Sequence, residues 1–249
     1  MAQLSRLFKR IKVTKGNTLY YPGCLAKFAS KEIVENYKKI FNYIGIDFIM
    51  LKDFEFCCGK PISNSGHKKE AKELAEKNFK IFKDHGITKI ITSCPSCYEM
   101  FLKEYKDLVP KWDIDVENAT VTIFNAIEKG KLKLKKNKLV VTYHDPCHLG
   151  RYCEIYDEPR NVIKLICSEL REMKLSRNYS YCCGAGAGVK TNYPSLSSSI
   201  AKERIKMAEE TGASVLVTPC SMCYLHLKEK DNKIDVKEFG QFIVENMEF

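Results

Sequence analysis

Ten of the twelve cysteines in this 249-residue chain fall into two sets that share one spacing. The first set is Cys24, then Cys57-Cys58, then Cys94 and Cys97; the second is Cys147, then Cys182-Cys183, then Cys220 and Cys223. Thirty-two and thirty-four residues separate the lone cysteine from its Cys-Cys pair, and thirty-five and thirty-six separate the pair from its C-x-x-C. Adjacent cysteines cannot bridge to one another without severe strain, and in a strand their side chains point to opposite faces. A turn that aims both sulfurs at one point gives the pair a use. Gly59 and Gly184, directly after the pairs, supply the backbone freedom such a turn needs. Four thiolates satisfy a tetrahedral zinc or the four irons of an ordinary cubane cluster. Five per set leave one over, which favours an iron–sulfur assembly of unusual ligation; one zinc site remains the alternative. Cys153 and Cys167 fall outside the pattern: Cys167, in "VIKLICSEL", reads as a small buried hydrophobe and Cys153 as a bystander.

The elements that must hold these sulfurs also occur twice. "YYPGC" is answered by "YHDPC", "FCCG" by "YCCG", and "HGITKIITSC" by "TGASVLVTPC". This internal duplication predicts two similar halves. "NTLYY" and "KLVVTY" read as buried strands that each end at the turn carrying the first cysteine, and helices follow over roughly 30–44 and 159–167. "IDFIML" and the weaker "LREMKL" supply short strands before the Cys-Cys pairs. The helix at about 68–84 places Ala71, Leu74, Ala75, Phe79 and Phe82 on one face, and its counterpart at about 194–210 places Leu196, Ile200, Ile205 and Ala208. "KIITS" and "SVLVT" run as strands into the C-x-x-C turns, and each half closes with a short strand and helix, "ATVTIFNAIEKG" and "IDVKEFGQFIVENM". Strands alternating with helices imply an α/β fold of two pseudo-symmetric halves, each a small parallel sheet with flanking helices. The first domain spans 1–130, with a short basic segment at 1–16, and the second spans 131–249; Gly130 and "KGKLKLKKNK" mark the joint. Every cysteine element then lies just beyond a strand C-terminus, where open α/β sheets bind ligands.

Composition narrows the function classes. Hydrophobic residues make up 45% and charged residues 29%, as in ordinary globular proteins, and no stretch approaches the roughly 20 apolar residues of a membrane span. "MAQLSRLFKRIKVTKG" lacks an apolar core and a cleavage site, so the chain reads as cytoplasmic, and twelve cysteines in a reducing compartment point to metal or redox chemistry. The net charge of +10 comes from dispersed lysines without a nucleic-acid motif, which argues against nucleic acid as partner. "LSRLFKRIKV" spaces Leu4, Leu7, Phe8 and Ile11 on one helical face; it and "FNYIGI" read as partner-facing helices, with peripheral membrane contact the weaker alternative.

At these residues the chain resembles the CCG-domain, or cysteine-rich, family of iron–sulfur proteins, and in particular the B-type and D-type components of heterodisulfide reductase. The family also includes iron–sulfur subunits of glycolate oxidase, anaerobic glycerol-3-phosphate dehydrogenase, lactate-utilisation systems and thiol:fumarate reductase. Its pattern is matched in full twice, and "YHDPCHLGRYCEIYDEPR" with "CCGAGAGV" adds to the likeness. The resemblance implies two [4Fe-4S] clusters, of noncubane type, held by the two cysteine quintets. It implies an oxidoreductase subunit that reduces a disulfide of the CoM-S-S-CoB type between facing clusters. No ferredoxin-like C-x-x-C-x-x-C-x-x-x-C-P run occurs, so the chain is similar to a B-type component that draws electrons from a ferredoxin-like C-type partner and, behind it, a flavoprotein or hydrogenase. The alternative is an electron-transfer subunit serving a flavin-dependent glycolate, lactate or glycerol-3-phosphate dehydrogenase or a thiol:fumarate reductase.

Disulfide reduction needs protons. His144 and His148 flank Cys147 and are candidate donors, or hydrogen-bonding partners of a cluster sulfur. Lys60 and Lys190 follow the two Cys-Cys-Gly motifs and, with Arg151, are candidates for attracting a small anionic disulfide, although a surface lysine is the plainer reading. Asp145 reads as the cap of its own turn.

Overall fold

Strand β1 (Asn17–Tyr21) buries Leu19 and Tyr21 on one face and Tyr20 on the other, the pattern of a parallel strand covered on both sides. The structure, a computed structural model, describes residues 16–51, 54–229 and 233–248. In the first half β1 leads into α1 (Cys24–Ala29) and α2 (Lys31–Tyr43), and the chain then passes α3 (Lys60–Asn64) and α4 (Lys68–Asp84). Strand β2 (Ile87–Thr92) feeds α5 (Pro95–Glu99), which continues through a π-turn at Met100–Glu104 into α6 (Tyr105–Leu108); β3 (Asp115–Asn118) and α7 (Ala119–Glu128) close the half. The second half repeats the plan with β4 (Val140–Tyr143), α8 (Asp157–Ile166), β5 (Glu169–Arg171), α9 (Val189–Asn192), α10 (Pro194–Glu209), β6 (Val215–Thr218), α11 (Ser221–Lys228), β7 (Asp235–Glu238) and α12 (Phe239–Val244).

Both sheets are parallel, ordered β1-β2-β3 and β5-β4-β6-β7. A single parallel bridge between Leu19 and Ile49 on the outer edge of β1 stands where β5 stands in the other sheet. That bridge is all that forms of the strand expected at "IDFIML". "ATVTIFNAIE" is helical throughout, with its strand one step earlier in Asp115–Asn118, because the Asn118 side chain accepts the Thr120 N–H and starts the helix there. Glu238 caps α12 in the same way, accepting from Gly240 and Gln241.

The halves pack reciprocally. Helix α2 of the first lies against α12 of the second, and α7 of the first lies against α8 of the second. Tyr37 donates to Glu238 (2.9 Å) and Tyr43 to the Glu248 carbonyl (2.6 Å) across the junction. One apolar core runs through both halves, joining Tyr20, Tyr37, Phe41 and Ile123 to Tyr143, Val162, Phe239 and Phe242. A smaller cluster belongs to the first half alone, where Tyr21, Phe101, Tyr105 and Trp112 meet edge to face. In "FNYIGI", Phe41 and Ile44 are buried in the shared core while Asn42, Tyr43 and Gly45 stay exposed. The N-terminal basic segment lies outside the described residues. Among the described residues, no helix is long and apolar enough to cross a membrane.

Helices α4 and α10 bury matching positions: Ala71, Ala75, Asn78 and Phe82 in one, Ser197, Ala201, Arg204 and Ala208 in the other. Of the stripe expected on α10, Ile205 and Ala208 are buried and Ile200 is half-buried. Leu196 is exposed, and the inward positions of Ser197 and Arg204 go to polar side chains that face the second cysteine set.

Candidate metal centres

Each quintet is assembled by three turns; those of the lone cysteine and the C-x-x-C follow strand ends, whereas the Cys-Cys turns lie further along, past the Ile49 bridge and past β5, and so depart from the expected placement. After β1, Gly23 adopts φ +84°, and a Cβ there would lie 2.9 Å from the Cys94 Cβ, so only glycine lets the Cys24 turn close on the C-x-x-C. Cys57-Cys58 precedes Gly59 (φ +95°), and Cys182-Cys183 precedes Gly184 (φ +86°). In both turns the glycine N–H donates to the first sulfur of its pair, Cys57 Sγ at 3.4 Å and Cys182 Sγ at 3.3 Å. Cys94 and Cys220 are the N-cap residues of α5 and α11, with Cys97 and Cys223 inside the first turn.

The structure places five sulfurs in one series in the first half and four in the second, with Cys147 near the latter. In the first half the thiols are coupled in series, Cys24 with Cys57, Cys57 with Cys58, Cys58 with Cys97, and Cys97 with Cys94. In the second half Cys182 meets Cys183, Cys183 lies 3.3 Å from Cys223, and Cys223 meets Cys220; Cys147 lies within the electrostatic reach of Cys220 and Cys183. Hydrogen bonds from Cys24 and Cys58 favour the Cys57 thiolate and pull it far below the ordinary thiol value, while burial pushes Cys147 up to about 11. Cys183 is likewise pulled down, by Cys182 first and Cys223 second. Their neighbours Cys24, Cys58, Cys97, Cys182 and Cys223 are pushed up instead, so each set divides into thiolate-favouring and proton-holding sulfurs. Five sulfurs per site, with a backbone N–H on one of them, exceed what a tetrahedral zinc takes and suit an iron–sulfur centre.

The elements carrying the two sets also face each other. Helix α1, which opens at Cys24, packs on α11, which holds Cys223. The reciprocal contact joins His148, beside Cys147, to Glu99 on α5: His148 Nδ1 hydrogen-bonds Glu99 Oε2. Glu99 Oε1 accepts from Lys60 (2.9 Å), Lys60 also bonds Glu104, and Ser63 donates to Glu104 (2.6 Å). Burial alone would raise the Glu99 carboxyl, but His148 and Lys60 outweigh it and hold it low. Burial likewise opposes the Lys60 charge, which Glu104 and Glu99 restore and strengthen. Lys60 is thus a buried member of a network rather than a surface lysine. Lys190 is exposed and paired with Glu229, and Arg151 donates to the carbonyls of Asn178 and Ser180.

Asp145 does not cap its own turn. Its carboxylate takes both ends of the Arg160 guanidinium (2.6 and 2.8 Å) and the Arg177 N–H, and Arg160 also chelates Glu172. Cys167 is buried in the core, and Cys153 is half-buried near Glu99, Lys103 and Lys60, where burial pushes its thiol up to about 11.

The two sets differ in what surrounds them. Around the second, fully buried Arg204 donates through Nε to His144 Nδ1 (2.9 Å) and through its other nitrogens to the Leu175 carbonyl and Ser180 Oγ. One ring nitrogen of His144 and the sulfurs of Cys183 and Cys223 all lie within 4.8 Å of one another. Burial holds the His144 ring below its ordinary value and draws Arg204 down to about 10, so the guanidinium stays charged at neutral pH. Around the first set the matching positions are Tyr21 and Asn78. Tyr21 donates to the Phe56 carbonyl (2.5 Å); Asn78 donates to the Cys57 carbonyl and to Tyr105, whose hydroxyl donates to the Cys58 carbonyl. Glu99, Glu104, Arg160 and Arg204 carry no motif signal. Arg204 becomes visible only when the halves are aligned through their C-x-x-C motifs, which sets it opposite Asn78.

Residues 18–102 and 141–228 match the cysteine-rich domain family CCG, more than half of the chain in two copies. The chain belongs to the CCG cysteine-rich domain family. It is 35% identical over 221 residues to the D component of the dihydromethanophenazine:CoB–CoM heterodisulfide reductase of Methanosarcina acetivorans, covering 86% of this chain and 54% of that one. It is 29% identical over 222 residues to the B component of the fumarate reductase (CoM/CoB) of Methanothermobacter marburgensis, covering 88% of this chain and 43% of that one. It is 34% identical over 173 residues to the EtfAB:quinone oxidoreductase of Syntrophomonas wolfei, covering 68% of this chain and 24% of that one. This CCG-family chain spans about half the length, or less, of these relatives.

Proposed function

We propose that this CCG-family chain is the iron–sulfur subunit of an oxidoreductase, that each cysteine quintet holds one [4Fe-4S] cluster, and that the pair reduces a disulfide of the CoM-S-S-CoB type. The supporting observation is that two complete quintets sit on elements that contact each other across the junction of the halves, α1 on α11 and the Cys147 loop on α5. When bound, such clusters supply electrons one at a time. The net reaction takes one disulfide, two electrons and two protons to two thiols, with the electrons drawn from a reduced ferredoxin-like partner. His148 lies between the sets, hydrogen-bonded to Glu99 and through it to Lys60 and Glu104; this network is the route by which a proton reaches a departing thiolate. Lys60 is committed to two carboxylates and Lys190 to Glu229, so neither is a free cation for an anionic substrate. The second reading, a relay between a flavoenzyme and another carrier, is favoured by the likeness to the EtfAB:quinone oxidoreductase.

Anaerobic purification with iron, sulfide and zinc counted per chain tests the first premise. About eight irons support two four-iron clusters, and stoichiometric zinc without iron rejects the proposal. The dithionite-reduced protein is then mixed with CoM-S-S-CoB. Reoxidation releasing two thiols per disulfide supports disulfide reduction, whereas reoxidation by a quinone or flavoprotein alone favours the relay.

A further inference from the structure

The two centres, built on one plan, carry different electrostatic surroundings: the Lys60–Glu99–His148 network borders the first, and a buried pair without a counterpart there borders the second. An arginine can only donate hydrogen bonds. Its Nε bond to His144 Nδ1 therefore requires a lone pair on Nδ1 and leaves the ring proton on Nε2. With Nδ1 occupied, Nε2 is the nitrogen left nearest the sulfurs of Cys183 and Cys223, and it is buried with no hydrogen-bond partner among the described residues. A protonated Nε2 has no electron pair to give a metal. His144 is thus an unspent N–H donor beside two sulfurs, although it sits with two cysteines as a third ligand would.

Arg204 adds a charge. Among the described residues it pairs with no carboxylate: its partners are a ring nitrogen, a carbonyl, a hydroxyl and the Met207 sulfur. The opposite charges within its reach are Asp145, already gripped by Arg160, and the sulfurs of Cys223, Cys183 and Cys182. A buried cation in this position needs an anionic neighbour, and the sulfur-rich centre is the one left to it. At the first set the corresponding groups are neutral and turned away, since Tyr21 and Asn78 spend their donors on backbone carbonyls and Tyr105. The glycine N–H to sulfur bond is common to both sets and cancels.

We infer that Arg204 and His144 act as a positioning pair that directs an N–H and a positive charge at the second-half centre, making it the more easily reduced of the two. Hydrogen bonds to sulfur and local charge both set iron–sulfur potentials. An electron arriving at the chain then settles at Cys147, Cys182, Cys183, Cys220 and Cys223, and the first centre is the stronger reductant. This inference rests on the iron–sulfur reading, not on the identity of the disulfide.

The test is a redox titration of the anaerobically purified protein followed by EPR, on wild type, His144→Leu, His144→Gln and Arg204→Met. Gln keeps a side-chain N–H near the place of Nε2. The wild type should show two midpoints. His144→Leu and Arg204→Met should each lower only the higher one, by at least a tenfold change in the oxidised-to-reduced ratio, 59 mV for one electron. His144→Gln should stay near wild type. A merely structural role would move both midpoints together or treat Leu and Gln alike, and either result overturns the inference. Should the Leu and Met variants fail to bind iron, pulsed EPR on wild type grown with 15N-histidine decides. A weak, non-ligand nitrogen coupling at one centre supports the pair; no coupling, or the strong coupling of a directly bound nitrogen, overturns it. A wild-type chain without iron would overturn the functional reading as well, whereas a fully iron-bound chain with unshifted midpoints overturns this inference alone.

Discussion

The two Cys-Cys-Gly turns make a matched comparison, because alanine should be tolerated very differently at their glycines. Gly59 and Gly184 both have φ near +90°, so an L-residue at either suffers the left-handed cost of about 1–2 kcal/mol. Their surroundings then separate them. A Cβ at Gly59 meets the Met100 Cε at 3.3 Å, the free end of a flexible side chain. A Cβ at Gly184 meets the Ser197 carbonyl at 2.8 Å and Ile200 at 3.0 Å. The Ser197 oxygen belongs to helical backbone, and the Ser197 hydroxyl further ties the helix to the Gly184 carbonyl (2.8 Å), so neither side can give way. Overpacking of that kind adds about 1–3 kcal/mol. Gly59→Ala should therefore lose about 1.5 kcal/mol and Gly184→Ala about 3.5 kcal/mol, which for a chain of this size is roughly 4 and 10 °C in Tm. Anaerobic calorimetry at one scan rate, with iron counted before each scan, measures both; Gly184→Ala should also lose iron while Gly59→Ala keeps it. Equal losses, or a larger one at Gly59, would refute the reasoning, since backbone conformation would then account for everything and the helix contact for nothing.

Three more outcomes can be checked. Arg160→Met strands the buried Asp145 carboxylate and should destabilise the chain by about 3–5 kcal/mol in denaturant melts. Glu238 is raised by burial from 4.5 to about 7; because its folded value exceeds its unfolded one, its contribution is complete below pH 4.5 and is lost as pH rises through 7, by about 3 kcal/mol at most. Glu238→Gln, which keeps a cap acceptor, should flatten that part of the stability–pH curve. Cys97→Ser should halve the iron per chain while Cys153→Ser leaves it unchanged, because Cys153 lies outside both sets.

The duplication, the parallel sheets and the helices at 68–84 and 194–209 are legible in the sequence because they rest on repeated spacing and apolar periodicity. The turn from β3 into α7 escapes that reading because β-branched "TVTI" looks like a strand, and the Asn118 cap that overrides it is a single side chain. The α10 stripe is legible only in part, at Ile205 and Ala208, because periodicity counts apolar residues, while that helix also turns Ser197 and Arg204 inward. The cysteine sets are readable in one dimension; the Glu99–His148 link and the Arg204–His144 pair are not, since their partners lie 49 and 60 residues apart.

The reciprocal helix packing has an evolutionary corollary. An arrangement in which α2 meets α12 and α7 meets α8 is that of a two-fold homodimer, here carried on one polypeptide. In a true homodimer any substitution beside one metal pocket is copied into the other, and the pair stays degenerate. Carrying both copies on one polypeptide lifts that constraint: histidine and arginine stand next to one quintet while tyrosine and asparagine stand next to its twin, so the two pockets are free to diverge.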